Sequence, residues 1–109
     1  MMKLLAITSC PSGVAHTYMA AEALQKAAKK HGIQIKVETQ GSIGVENEIT
    51  AEDVAAADAI ILTKDMSILG EERFKDIPIV RVWIGDAIKK ADAIIGKIEK
   101  LLNEKNETA

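Results

Sequence analysis

The sequence predicts an α/β domain: a doubly wound, four-stranded parallel sheet in the strand order 2-1-3-4, with helices on both faces in a Rossmann-like three-layer sandwich. Two observations carry this. Short apolar runs (Leu4-Leu5-Ala6-Ile7, Ala59 to Thr63, Ile79 to Trp83) alternate with segments of helical period. Such alternation favours right-handed crossovers and a parallel sheet covered on both sides. The chain has 109 residues, which suits one domain around one core. The domain is expected over residues 1–102, with a flexible tail over 103–109.

The first strand ends in the loop signal Thr8-Ser9-Cys10-Pro11-Ser12-Gly13. A helix from about Val14 to His31 follows, with Ala20, Leu24, Ala27 and His31 on one face and Gly32 as its stop. His31 reads as a cation compensating the dipole at the helix C-terminus. Ile35 and Val37 alternate with polar residues in a second strand, Gln34 to Glu38, which breaks at Gly41 and Gly44. Thr50-Ala51-Glu52-Asp53 is a capping-box pattern opening a short helix to Ala57. Ala59 to Thr63 is a buried strand, Glu71 to Phe74 one helical turn, and Ile79 to Trp83 the last strand. Ile84, Ile88, Ala91, Ile95, Ile98 and Leu102 form a single apolar stripe, read as one final helix.

The charge balance narrows the function. There are 14 basic and 16 acidic side chains, a net charge of -2, and arginine only at positions 73 and 81. A nucleic-acid binder would show a basic footprint instead. The single cysteine, Cys10, forms neither an internal disulfide nor a metal cluster, so no metal or cofactor is expected. No apolar run approaches a membrane span, and the N-terminus carries no secretory signal pattern. The reading is a cytoplasmic protein with a reduced thiol. No apolar helix face is left over once the core is assigned, so a monomer is expected.

In doubly wound sheets ligands sit at the carboxyl ends of the strands, at the switch point beside strand 1, and Cys10 stands there. The segment Cys10-Pro11-Ser12-Gly13-Val14-Ala15-His16-Thr17 leads from a strand end into a helix start. Unpaired N–H groups and the positive end of the helix dipole favour a thiolate or a phosphate at that place. Gly13 permits a tight turn and close approach to an oxyanion, and Pro11 limits the loop's freedom. The hydroxyls of Ser9, Ser12 and Thr17 are candidate phosphate donors, and His16 a candidate partner for charge on sulfur or phosphate. Helix capping is the competing role for Ser12 and Thr17, and a surface position the competing role for His16. A thiolate in a phosphate cradle can form a thiophosphate ester, a bond suited to relay. The Cys10 thiol is expected to titrate below the roughly 8.5 of a free cysteine.

These residues, continued by Met19-Ala20-Ala21-Glu22-Ala23-Leu24, resemble the active-site stretch of fructose-type enzyme IIB domains of the bacterial phosphoenolpyruvate-dependent sugar phosphotransferase system. Two further blocks match the same family: Val37-Glu38-Thr39-Gln40-Gly41 with Gly44 and Asn47-Glu48-Ile49-Thr50, and Glu72-Arg73-Phe74. The resemblance runs from Lys3 to about Leu102. It departs from the family at Lys75-Asp76, where a Gly-Lys pair is usual.

The resemblance implies a phosphotransferase. Cys10 takes a phosphoryl group from a phosphohistidine of an enzyme IIA partner. It then gives the group to a fructose-like sugar held by the membrane-embedded enzyme IIC, with Pro11 to Thr17 as its loop. It also implies peripheral association with the inner face of the membrane through that partner. Glu38, Thr39 and Gln40 are read as a partner-docking rim or a structural turn, with Gln40 the more structural.

Three rivals use the same sheet. A low-molecular-weight cysteine phosphatase needs an arginine six residues after the cysteine to clamp phosphate, and His16 occupies that position. A flavodoxin-like module needs aromatic walls for the flavin, and only Tyr18, Phe74 and Trp83 are available. A receiver domain would use Asp65 with acidic magnesium ligands at the end of strand 1, where Ser9 and Cys10 stand.

Overall fold

The computed structural model describes residues 2–11, 14–41 and 44–108. The elements run β1 (Lys3–Thr8), α1 (Val14–Lys30), β2 (Gln34–Gly41), β3 (Gly44–Glu46), α2 (Ala51–Ala56), β4 (Ala59–Thr63), a 3-10 turn (Glu71–Phe74), β5 (Ile79–Val82), α3 (Ile84–Lys89) and α4 (Ala91–Thr108). They build one five-stranded sheet in the order β3-β2-β1-β4-β5. β1 pairs in parallel with β2 (Lys3 opposite Gln34 through Thr8 opposite Thr39) and with β4 (Leu4 opposite Ala59 through Ile7 opposite Leu62). β4 pairs in parallel with β5. The four parallel strands therefore follow the expected order.

The fifth strand corrects the expectation of four. β2 runs three residues past Glu38, and its end pairs antiparallel with β3: Thr39 opposite Glu46, Gln40 opposite Val45 and Gly41 opposite Gly44. β3 has three exposed residues, too short to show a period of two, and it closes one edge of the sheet. The left-handed backbone of Asn47, at φ 54°, then leads the chain away from it.

The two faces of the sheet come from alternation along the central strands. Leu4 and Ala6 of β1 and Ala59 and Ile61 of β4 face a core built with α1, α3 and α4 through Ala20, Leu24, Ala28, Ile84, Ala87, Ile95 and Ile98. Leu5 and Ile7, with Ile60 and Leu62, face a second, smaller core of Ile49, Ile68 and Phe74. The first core is rich in alanine on α1, which lets that helix lie close to the sheet.

α1 ends as its sequence foretells. Gly32 takes φ +70°, its N–H reaches the Lys29 carbonyl at 3.1 Å, and the Ile33 N–H reaches the Ala28 carbonyl at 2.8 Å. This is a Schellman closure on a left-handed glycine. His31 has a different task from dipole compensation alone: Nδ1 lies 3.1 Å from Glu99 Oε1 and Nε2 lies 3.0 Å from Asp92 Oδ1, tying α1 to α4. The capping box of α2 forms, with the Asp53 N–H donating to Thr50 Oγ1 and the Thr50 N–H donating to Asp53 Oδ2.

The C-terminal stripe belongs to two helices and not one. Lys90 leaves helical geometry (φ -125°, ψ 27°) between α3 and α4. Ile84, Ala91, Ile95 and Ile98 nevertheless all reach the core. Neither glycine nor proline stands at the break, so the stripe gives no warning of it. The backbone of α4 is helical through Thr108, where the sequence reading places a tail from position 103.

Candidate functional site

Cys10 lies two residues past the end of β1, at the carboxyl edge of the sheet and ahead of α1. The helix that follows has 17 residues, so its first turn directs unsatisfied N–H groups and a partial positive charge toward the loop. The thiol is partly exposed, and Sγ lies 3.8 Å from Nδ1 of His16 on the first turn of α1. The histidine six residues on from the cysteine is thus its neighbour in space.

The platform beneath the thiol is rigid. Ser9 is buried: its N–H donates to Thr63 Oγ1 of β4 at 3.0 Å, and its hydroxyl donates to the Gln40 carbonyl of β2 at 2.9 Å. The residue before Cys10 is clamped from both neighbouring strands. This corrects the reading of Ser9 as a phosphate donor, because its hydroxyl proton is committed to the backbone of β2. Thr8 Oγ1 donates to the Thr17 carbonyl at 3.0 Å and fastens the start of α1 to β1. Thr17 is itself buried, and its Oγ1 has no partner among the described residues. Pro11 and Ala15 are exposed, as is His16; Val14 opens the helix, and Ser12 and Gly13 lie outside the described residues.

Cys10, Pro11 and His16 line an open depression of about 450 Å³ whose other walls include Met19, Asp65, Ile88 and Lys89. Composition and spacing did not point to Met19, Ile88 or Lys89 as site residues, and pointed to Asp65 only under the receiver reading. Asp65 accepts the Ile84 N–H at 2.7 Å and so caps α3. Lys89 brings a cation to the wall of the depression. Both come from elements more than fifty residues away in the chain, and only the parallel order of β1, β4 and β5 sets them beside the thiol.

The expected rim of Glu38, Thr39 and Gln40 is interior. All three side chains are buried, Glu38 completely. Glu38 accepts from Arg73 Nη1 (3.0 Å) and Nη2 (3.1 Å), from Gln40 Nε2 (2.7 Å) and from the Ile49 N–H (2.8 Å). Burial pushes its carboxyl upward, but these donors, Arg73 foremost, outweigh it and hold the group below its usual 4.5. Gln40 also exchanges hydrogen bonds with the backbone of Leu69. The network sits under the site, with Glu38, Thr39 and Gln40 buried and Arg73 partly exposed, and it connects to the site through Gln40, whose carbonyl receives Ser9.

Comparison with known proteins agrees with this architecture. The family model described as "PTS system, Lactose/Cellobiose specific IIB subunit" matches residues 5–106. A "PTS system fructose-like EIIB component 2" from Escherichia coli K12 is 69% identical over 99 residues, covering 91% of this chain and 93% of that protein. A "Fructose-like PTS system EIIBC component" from the same organism is 44% identical over 99 residues, 89% of this chain but 20% of that longer protein. The solution structure of an enzyme IIB subunit of the PTS system from Escherichia coli K12 superposes with a TM-score of 0.90 at 41% identity, covering 96% of this chain and 97% of that one.

The doubly wound sheet of this order places the chain in the fold class of PTS enzyme IIB subunits. The chain belongs to the IIB family of the PTS sugar phosphotransferase system, on the side of its fructose-like components. Its members are phosphotransferases that act with the system's other components. Among the described residues no helix is long and apolar enough to cross a membrane.

Proposed function

We propose that this chain is a phosphocysteine carrier, with Cys10 accepting a phosphoryl group from a phosphohistidine of an enzyme IIA partner and donating it to a fructose-like sugar presented by a membrane-embedded IIC partner. The observation that carries the reading is the placement of Cys10: a partly exposed thiol at the start of a 17-residue helix, 3.8 Å from His16, on the wall of an open depression. The fused fructose-like EIIBC relative supports the pairing with a IIC partner.

The chemistry is balanced at sulfur. The Cys10 thiolate attacks phosphorus, the P–N bond of the donor histidine breaks, and its electron pair stays on the imidazole. In the second half the sugar hydroxyl attacks the same phosphorus, the S–P bond breaks, the thiolate returns, and the hydroxyl proton passes to a base. The segment Pro11-Ser12-Gly13-Val14-Ala15-His16-Thr17 forms the cradle, in which N–H groups at the head of α1 hold the phosphoryl oxygens. His16 supplies a hydrogen bond to sulfur or oxygen, and Lys89 a cation at the wall. The openness of the depression suits two partners that reach one sulfur in turn through small transient contacts. The carrier works as a monomer at the inner face of the membrane.

The test is intact-protein mass after incubation with phosphoenolpyruvate, the general phosphotransfer proteins and a fructose-type IIA donor. The wild-type chain should gain one phosphoryl group and Cys10→Ser none. Equal gain in both would move the site off Cys10.

A further inference from the structure

Lys64, after β4, lies with Nζ 4.8 Å from the centre of the Trp83 ring, after β5. The two residues share an open depression of about 230 Å³ with Arg81, Asp86, Lys90 and Lys97. Arg81 is paired with Glu71. Among the described residues no carboxylate lies within ion-pair distance of Lys64, Lys90 or Lys97. Three uncompensated cations therefore converge on one depression in a protein whose net charge is -2. Asp86 is the one acidic lining residue. Trp83 is 53% exposed, an unusual position for the chain's single tryptophan.

We propose that this groove is a docking site for an anionic lipid bilayer, with Trp83 seated at headgroup depth and Lys64, Lys90 and Lys97 on lipid phosphates. An indole with an apolar body and one N–H donor prefers the interface between hydrocarbon and water. Lysine stems lie along apolar surface while their ammonium groups reach outward, which suits a deformable array of phosphates. A juxtaposed set of lysines gains affinity for an anionic leaflet residue by residue.

The placement gives the contact a purpose, which rests on the carrier reading above. Trp83 and Lys64 follow the carboxyl ends of β5 and β4, the same sheet edge as Cys10. β5 is two strands from β1, a lateral separation of about 10 Å. A bilayer held at Trp83 therefore keeps the Cys10 edge of the sheet close to the membrane plane, where a sugar-bearing acceptor lies.

Trp83 is also the reporter, because no other tryptophan contributes to emission. Vesicles of mixed phosphatidylglycerol and phosphatidylcholine should shift its fluorescence to the blue at low salt and carry the protein down on sedimentation. Vesicles of phosphatidylcholine alone should do neither, and added salt should reverse the effect. The surface variant Lys64→Gln/Lys90→Gln/Lys97→Gln should lower the partition coefficient about a hundredfold, and Trp83→Ala should weaken sedimentation with the anionic vesicles. Unchanged emission with anionic vesicles at low salt overturns the proposal and transfers the groove to an acidic protein partner. Wild-type partitioning of the triple lysine variant, or an equal shift with neutral vesicles, overturns it as well. The Cys10 mass assay without vesicles is read on the same samples. A phosphoryl gain without vesicle binding defeats the groove alone, and vesicle binding without a gain defeats the carrier reading alone.

Discussion

Replacing Arg73 by leucine should turn the fully buried Glu38 from a stabilising group into a destabilising one, and reverse the sign of its pH dependence. Arg73 donates five hydrogen bonds. Two go to Glu38, and the others reach the carbonyls of Ile49 (3.0 Å), Leu69 (3.1 Å) and Gly70 (2.8 Å). Without the guanidinium, Glu38 keeps among the described residues the neutral donors Gln40 Nε2 and the Ile49 N–H. Breaking a buried pair in this way costs about 3–5 kcal/mol. The Arg73 side chain is 26% exposed, so water can reach part of the vacated space and the loss belongs nearer the lower figure. Against a total of about 5–15 kcal/mol for a domain, that is a large share, readable as a fall in the urea midpoint at constant slope.

The pH dependence separates this mechanism from simple loss of packing. In the wild-type protein the Glu38 carboxyl is held below its usual value. Its contribution is therefore complete above the unfolded-state value and disappears as pH falls through the lowered folded-state value. In Arg73→Leu, burial, the largest influence on this carboxyl, is opposed by the two neutral donors without a countercharge and should raise the folded-state value above the unfolded one. The penalty is then present near neutrality and is relieved as pH falls toward the carboxylate range. From about pH 7 to about pH 5 the variant should gain stability relative to the wild type. A loss under about 1 kcal/mol, or a variant profile parallel to the wild type, would refute the claim that Arg73 compensates the buried charge of Glu38.

Two neighbouring changes test how that network supports the site. Gly70 takes φ +71°, and a Cβ there would lie 2.7 Å from Arg73 Nε; Gly70→Ala should cost about 1–2 kcal/mol for the backbone alone and more as Arg73 is displaced, a drop in Tm of several degrees per kcal/mol. A thermal midpoint equal to that of the wild type would show that the arginine swings aside freely. Ser9→Ala removes the donor to the buried Gln40 carbonyl and should cost about 1–3 kcal/mol. It should also slow the mass gain from a phosphorylated IIA donor, since the residue before Cys10 loses one of its two clamps; unchanged kinetics with lowered stability would make Ser9 purely structural.

Much of the architecture was written locally. Leu4 to Ile7 and Ala59 to Leu62 are apolar at every position because each strand is covered on both faces, and that signal needs no partner to be read. Cys10, Gly13 and the start of α1 at Val14 are adjacent in the chain, so their chemistry could be argued from one segment and the motif matched to a family. Gly32 and Thr50 announced their caps for the same reason: the hydrogen bonds that they serve close within a few residues.

What escaped was non-local or too short. A glutamate near the end of an apparent strand reads as an outward-facing charge. Glu38 is inside because Arg73, 35 residues later, arrives with a countercharge, and no pattern around either residue says so. β3 exists only because the extended end of β2 offers it unpaired backbone groups. Asp65 and Lys89 border the Cys10 depression because β4 and β5 lie in order beside β1. By itself the sequence determined the class of fold and the family, since each depends on period, propensity or a contiguous motif. The buried ion pair beneath the site, the antiparallel edge and the walls around the thiol were decided by tertiary structure alone, because burial and electrostatic pairing are properties of neighbours in space.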